Sequence, residues 1–366
     1  MNDPINGKIR SFCCLVIFLL VFAVFYGSIS ADQQPDKTWH PLGSGLNHNV
    51  NAFVIFEDDL IASGAFTLAD GQSANRVALW NGSGWQPLGD GMNEMVFELA
   101  LHNGELFAGG NFLEADGNEV YGIARWDGAE WQPLAPAGMN EATNALFSYD
   151  GDLIAGGRFT MAGDQTVNHV ARWDGEEWHP MGSGVGNSNH RTPDVQAFTI
   201  YQGDLVAGGS FDLADGEEAH FIARWDGTTW HPVGSGLYKI DFGGIYDFTI
   251  YEGNLVAAGR FNMADGETTH AARLINGEWQ PMGTGIGAGA LEIFEGELYV
   301  AGRFINEDSE LENRIARWDG SAWQPVGVAD AGSNALITYR GNLVAGGMFT
   351  TKDGEVVNHV ARWSVY

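Results

Sequence analysis

Between residues 144 and 182 the apolar positions fall in four short bursts, "NALFSY", "DLIAGGRF", "HVARW" and "EWHPMG", separated by "DG" at 150–151, "AGD" at 162–164 and "DG" at 174–175. Runs of this length, rich in aromatic and β-branched residues and bounded by Gly and Asp, predict strands. Asp-Gly between two such runs predicts a tight hairpin. No window carries a helical period longer than a turn. Within "LIAGGRF", Leu153, Ala155, Gly157 and Phe159 alternate with Ile154, Gly156 and Arg158. Both faces are apolar or small, so this strand is expected to be covered on both sides.

The same phrase returns along the chain. Its phenylalanine falls at Phe66, Phe112, Phe159, Phe211, Phe261, Phe304 and Phe349, with spacings of 46, 47, 52, 50, 43 and 45 residues. A period of 40–50 residues with four strands in each copy is the pattern of a β-propeller. Ala-Gly-Gly lets neighbouring sheets approach closely, while the paired tryptophans fill wider gaps, as wedges around an axis require. The expected fold is all-β: a seven-bladed β-propeller of four-stranded antiparallel blades. The seventh copy ends at "HVARWSVY" without a "W-x-PLG" strand, and an orphan "TWHPLGSG" stands at 38–45 before the first copy. That N-terminal strand is expected to complete the C-terminal blade and close the ring, leaving no free edge. An open solenoid would instead need capping repeats at its ends.

The Gly pair ending the second strand, with Trp in the fourth, resembles kelch-type repeats. The wording "LVAGG-x-F…ARWDG" is similar to the kelch-like repeats of secreted bacterial proteins and of the fungal cortical cell-polarity marker family, over residues 38–366. The first copy departs with "IASGAF" and "VALW", the fifth with "VAAGRF" and "AARL", and the sixth has one Gly fewer. The resemblance implies the propeller fold and no particular activity, because one fold hosts many tasks.

Residues 1–31 have a different composition. Lys8 and Arg10 precede an apolar run from Phe12 to Phe25, followed by "GSISA". This three-part layout predicts a cleaved secretory signal peptide over 1–31, then a linker at 32–37 and the propeller at 38–366. The run is short of the roughly 20 apolar residues needed to span a bilayer, so no stable membrane insertion is expected after cleavage. Export to the periplasm or the exterior follows. Both cysteines, Cys13 and Cys14, fall in this leader, which excludes disulfides, thiolate metal sites and cysteine nucleophiles afterwards. The formal charge is −29, and losing Lys8, Arg10 and Asp3 with the leader takes it to −30. Such a field excludes nucleic acid and anionic membranes as partners.

Chemistry is sparse. A residue present in every blade is structural, and the informative positions are those where one blade differs. His40, His179 and His231 share one outer slot, and His169, His270 and His359 another; both sets are assigned structural or surface roles. No cofactor is expected. Calcium is weighed at the "ADG" loops (Asp70, Asp116, Asp215, Asp265), which lack the ligand ladder of an EF-hand and are explained as hairpin turns. The "ARW" arginines are assigned to pairing with Asp or packing on aromatics. Galactose oxidase is similar in using kelch-type blades, but its copper site needs a cysteine that the chain lacks after its leader. Sialidase boxes read S-x-D-x-G-x-x-W, one residue longer than the "DG-x-x-W" turn here.

Counting back from the Phe anchors places Asn51, Phe97, Asn144, Gln196, Tyr246, Gly289 and Asn334 in one ring near the axis. The next ring is Ala52, Glu98, Ala145, Ala197, Asp247, Ala290 and Ala335. Glu98 and Asp247 are thus candidate acid and base, or cation ligands; the alternative is that they only face channel water. The longest connections, 184–196 and 236–248, share one face of the disc and add His190, Arg191, Tyr238 and Lys239. With Asn51, Asn144, Gln196, Tyr246 and Asn334 these form the candidate ligand-binding set, since distinct loops on a rigid scaffold carry binding. The expected function is a monomeric, non-catalytic scaffold presenting this face to a glycan or an envelope protein. The alternative is a polysaccharide-active hydrolase or lyase using Glu98 and Asp247.

Overall fold

The computed structural model describes residues 37–364 except 135–137, 189–190, 236, 239–242, 264–267, 284–286 and 306–309. The expected leader, most of the linker, His190 and Lys239 lie outside the described residues. Among those described, every regular element is a strand. The third copy shows how the sequence folds. Thr143–Tyr149, Asp152–Gly157, Val170–Trp173 and Trp178–Pro180 pair antiparallel in chain order, joined by hairpins whose turns use left-handed Gly151 and Gly175. Its second strand, DLIAGG, is buried from its second residue onward. The first, second and fourth copies repeat this four-stranded sheet.

Sheets five and six are enlarged. Asn254–Met263 and Thr268–Ile275, like Glu297–Ile305 and Leu311–Trp318, run on into the "ADG" region as long strands. Elsewhere that region forms a separate two-residue hairpin, such as Leu68–Ala69 with Gln72–Ser73. The hairpins pair with the chain arriving from the preceding sheet, through Leu46↔Ala69, Met92↔Ala115, Met139↔Ala162 and Val185↔Ala214. In the last sheet the order is Ser333–Tyr339, Asn342–Gly347, Val360–Ser364 and then Thr38–Pro41. Trp39 lies opposite Trp363 and His40 opposite Arg362. The segment 38–41 is therefore the fourth strand of the sheet built from the C-terminal copy.

Neighbouring sheets are joined at three radii. Nearest the middle, the first strands lie against one another in chain order, and Ser333–Tyr339 lies against Val50–Phe56. Further out the second strand packs on the next sheet. A Cβ placed on Gly156, Gly208 or Gly346 would come within 2.5–2.6 Å of Val195, Phe248 and Phe53 respectively, so only glycine admits that approach. Outermost, the fourth-strand indoles of Trp39, Trp85, Trp131, Trp230, Trp279 and Trp323 donate to carbonyls of the sheet before them at 2.6–3.1 Å.

The repeated aspartate and arginine also find structural roles. Asp116 accepts from Gly91 N and from Trp131 N, both at 2.7 Å, and Asp70 accepts from Ser44 N at 2.6 Å and Trp85 N at 2.8 Å. The "ADG" carboxylate therefore clamps its own fourth strand to the segment entering from the neighbouring sheet, a use beyond the expected turn. Arg172 pairs with Asp152 at 2.7 Å and Arg224 with Asp204 at 2.6 Å, as expected for "ARW". His179 and His231 hold turn residues Asp174 and Asp226 at 2.6 and 2.8 Å. One boundary differs from expectation: the strand read as "HVARW" starts at Val170, because Asn168 and His169 take left-handed φ values of 46° and 75°.

Candidate functional site

Each first strand carries one extra residue. The ladder skips from Val50 to Ala52, from Val96 to Glu98 and from Thr143 to Ala145, and likewise in the other four sheets. The skipped residues are Asn51, Phe97, Asn144, Gln196, Tyr246, Gly289 and Asn334. A bulge re-aims the side chain it carries, and here it lets two successive residues per sheet reach the central space. All seven bulge residues line both of two adjoining cavities. One, of about 540 Å³, is the lumen and adds Glu98 and Asp247. The other, of about 860 Å³, is a cup on the loop side and adds Met95, Met139, Glu141, Arg158 and Asp194.

The ring amides are committed as donors. Asn51 Nδ2 donates to Val96 O of the next sheet at 2.8 Å, and Asn334 Nδ2 to Asn49 Oδ1 at 2.9 Å. Asn144 Nδ2 and Gln196 Nε2 donate to the two oxygens of Asp194 at 2.5 and 3.0 Å. The Asn51 oxygen is itself taken, accepting from Asn49 Nδ2 at 2.6 Å, while the oxygens of Asn144, Gln196 and Asn334, residues of the cavity wall, keep their acceptor capacity. Phe97 and Tyr246 add aromatic faces. Burial pushes the Tyr246 phenol up, with Arg260 opposing and Asp194 adding to the rise.

Deeper in the lumen, burial pushes Glu98 up to about 8; the bond from Leu99 N at 2.9 Å opposes this, and the Asp247 charge adds to it. Burial likewise raises Asp247 to about 7, against two backbone bonds from Leu291 N and Phe248 N at 2.7 Å and with repulsion from Glu292. Both carboxyls keep some surface open to the lumen, while protein surrounds them on every other side, and that surrounding sets their proton affinity. They do more than face water. Asp247 ties its strand to the next sheet, and Glu292 does the same through Thr338 N at 3.0 Å.

The loop residues are brought together only in part. In 184–196, Val185–Gly186 pairs with Leu213–Ala214, and Ser188 N and Oγ both donate to Asp212 at 2.7 Å, so the loop is anchored. Arg191 O accepts from Asn187 Nδ2 at 3.5 Å. Tyr238 pairs through its backbone with Asn262. Two groups absent from the candidate set now stand at the mouth: Asp194, whose carboxyl is 5 % exposed, and Arg158, whose Nε meets it at 3.3 Å. Two residues before the ring position the other sheets have Asn49, Met95, Ala142, Gly244, Gly287 and Gly332; Asp194 is the acid among them. The comparison of repeats had the signal, two positions before the ring where it was applied.

Among the described residues no group of three His, Asp or Glu is placed to hold a metal ion. No family model matches the sequence, and no curated protein matches it. Among solved structures, the computationally designed protein Ika8 aligns over 88 % of this chain and 98 % of its own, at 13 % identity and a TM-score of 0.48.

Proposed function

We propose that the seven sheets are blades of one closed, kelch-like β-propeller, exported and monomeric, which binds a glycan without turnover at the cup above its lumen. Closure is supported by the pairing of 38–41 with 360–364 and by Gly346 meeting Phe53 in the way Gly208 meets Phe248. The binding reading rests on one observation: seven bulges, six of them bearing side chains and the seventh Gly289, line the wall shared by two cavities. Acceptor oxygens suit sugar hydroxyls, and Phe97 and Tyr246 suit sugar faces. An envelope protein remains the other kind of ligand for this face.

A second reading has its own support. Two lumen carboxyls raised to about 8 and about 7 match the proton affinities that general acids and bases need near neutral pH. The enzyme would then be a polysaccharide hydrolase or lyase. Incubating the purified chain with a polysaccharide panel separates the two. Retention without new reducing ends or unsaturated products supports the binder; turnover that Glu98→Gln abolishes supports the enzyme. Failure of every polymer to be retained or cleaved removes the glycan reading.

A further inference from the structure

Acids outnumber bases 47 to 18 in this chain, so a guanidinium without a carboxylate partner is unexpected. Most "ARW" arginines behave as expected: Arg125, Arg172, Arg224 and Arg317 each pair with the acid that opens their sheet's second strand, and Arg273 pairs with Glu252 in the turn before it. Arg362 has no carboxylate partner among the described residues. Another slot behaves differently. The residue between the Gly pair and the Phe anchor is Arg158 in the third sheet, Arg260 in the fifth and Arg303 in the sixth, against Ala65, Asn111, Ser210 and Met348 elsewhere. All three arginines are exposed, and Arg260 and Arg303 have no carboxylate partner among the described residues.

Register fixes their level. Arg158 N donates to Ala142 O, Arg260 lies opposite Gly244 and Arg303 opposite Gly287. Each partner is two residues before its sheet's bulge, so the three arginines stand on one rim just above the ring. Arg158 lines the cup; Asp194 engages only its Nε, at 3.3 Å, and leaves the terminal nitrogens for a ligand. Arg260 lies opposite Gly244, two residues before Tyr246 of the cup wall, so its backbone stands beside that part of the mouth. Glu141 is the acid on the same wall.

We infer that the cup binds a carboxylate-bearing glycan, a uronate-containing polysaccharide, with Arg158 and Arg260 holding carboxylates on the rim while the ring oxygens and Phe97 and Tyr246 receive the sugar. This rests on the glycan-binding reading above and specifies its ligand class. Arginine is the side chain suited to carboxylates, through its planar fork of donors. The net charge of the chain does not forbid the match. At physiological salt, fields from acids more than about 8 Å away are screened, so the acids that a bound carboxylate meets on the cup wall are Glu141 and Asp194, the second already engaged by Arg158. An acidic peptide would also meet the arginines, but it would leave the ring of acceptor oxygens facing its own carbonyls.

The test is titration calorimetry of the full chain against polygalacturonate, alginate and polyglucuronate, each beside its carboxyl-reduced or methyl-esterified form, with poly-L-glutamate as the peptide control. At least one uronate polymer is expected to bind roughly tenfold or more tightly than its neutralised form, since a charged hydrogen bond is worth that much, and to weaken with added salt. Arg158→Gln and Arg260→Gln should each weaken it by a similar factor, Arg260→Gln at an unchanged melting temperature, while Arg172→Gln, far from the mouth, should leave binding unchanged. Arg260→Gln is the safer variant, because Asp194 does not depend on Arg260. Equal binding of charged and neutralised polymers, or no effect of Arg260→Gln, overturns the carboxylate inference and leaves glycan binding standing. Poly-L-glutamate binding as tightly as the best uronate overturns the sugar assignment. If no uronate binds but neutral polymers do, the inference again fails alone; if nothing binds, the underlying reading fails with it.

Discussion

Adding one methyl group at the contact between sheets tests both the packing and the closure. At Gly208 a Cβ would lie 2.6 Å from Phe248 Cε2 and Cζ and 2.8 Å from Ile245 Cγ2. Carbon atoms prefer roughly 3.5–4.0 Å, so the phenyl ring would have to retreat by about 1 Å into a buried wall. Overpacking of this kind costs about 1–3 kcal/mol. Gly208 has no positive φ, so alanine also gains roughly 0.4–1 kcal/mol by restricting the unfolded chain. The net expectation for Gly208→Ala is about 1.5 kcal/mol of destabilisation, roughly 2 °C in melting temperature for a chain of this size.

The chain supplies its own control. Where the second-strand position is Gly156, Gly208 or Gly346, the facing residue of the next sheet is Phe198, Phe248 or Phe53. Where it is Ala258 or Ala301, the facing residue is Leu291 or Leu336, in the same cluster. Combining Gly208→Ala with Phe248→Leu recreates the Ala–Leu pair and should recover about 1 kcal/mol or more relative to the sum of the single changes. Repeating the cycle at Gly346 and Phe53 probes the contact between the last sheet and the first. Differential scanning calorimetry of the seven proteins gives the result. Additive effects at 208/248 would refute the steric account, and a silent Gly346→Ala would refute closure.

Three further outcomes follow from buried charge and missing ties. Lys352 has no exposed surface and, among the described residues, no hydrogen-bond partner; its ammonium lies 4.4 Å from the Trp39 ring and 5.0 Å from the Phe349 ring. Burial lowers it to about 7 against the pull of Asp353 and Asp330, so the unfolded chain binds more protons between about pH 7 and 10.5 and stability rises with pH across that window. Lys352→Met should raise the melting temperature at pH 7 and flatten the rise, by at least ~1 kcal/mol. Glu98 has the opposite sign: its folded value of about 8 exceeds the usual 4.5, so stability falls as pH rises through that interval, and Glu98→Gln should lessen the fall between pH 5 and 9 in thermal melts. In the third sheet the motif reads Ala162-Gly163-Asp164, and the Trp178 indole has no partner among the described residues. Gly163 has a φ of 57°, near the 47° of Asp70 and Asp116. Gly163→Asp with Asp164→Gly should restore the clamp on Trp178 N and add about 1 kcal/mol, read as a shift in urea midpoint.

Seven-fold repetition made the sheets legible, because each residue the packing needs recurs wherever that need recurs. The tryptophans, the Gly pair and the orphan strand at 38–45 were visible for this reason. Counting from the Phe anchors also placed the ring correctly, since one strand and one hairpin of nearly fixed length separate the two. What the ring residues do was not legible. Donation from Asn51 to Val96 O and from Asn144 to Asp194 depends on which sheets are neighbours and on a bulge that no residue type announces. The left-handed pair Asn168–His169 escaped for a similar cause: "HVARW" has the composition of a strand, and non-glycine residues conceal a positive φ. Lys352 was overlooked because its slot was identified by the aspartate that follows it.

Departures from the repeat converge on one side of the molecule. The third sheet lacks the clamp, and the next supplies Asp194 from its anchored loop. Arg158 rises from that third sheet, and Asn144 spans from it to Asp194. The cup is walled by Met139, Glu141 and Ala142 from the segment leading into the same sheet. One weak outer tie is tolerated where the inner strands and glycine contacts on either side still hold the boundary between sheets. That freedom lets a single sheet exchange consensus residues for unusual ones without loss of the fold, and a scaffold whose exceptions cluster around a cavity has its specificity there. Transplanting the consensus "ADG" and a rim Asn into the third sheet, as Gly163→Asp, Asp164→Gly and Arg158→Asn together, should therefore give a protein more stable than the parent in urea yet weaker for any polysaccharide that the proposed cup retains. A variant that is stabilised and binds unchanged would move the site elsewhere on the ring.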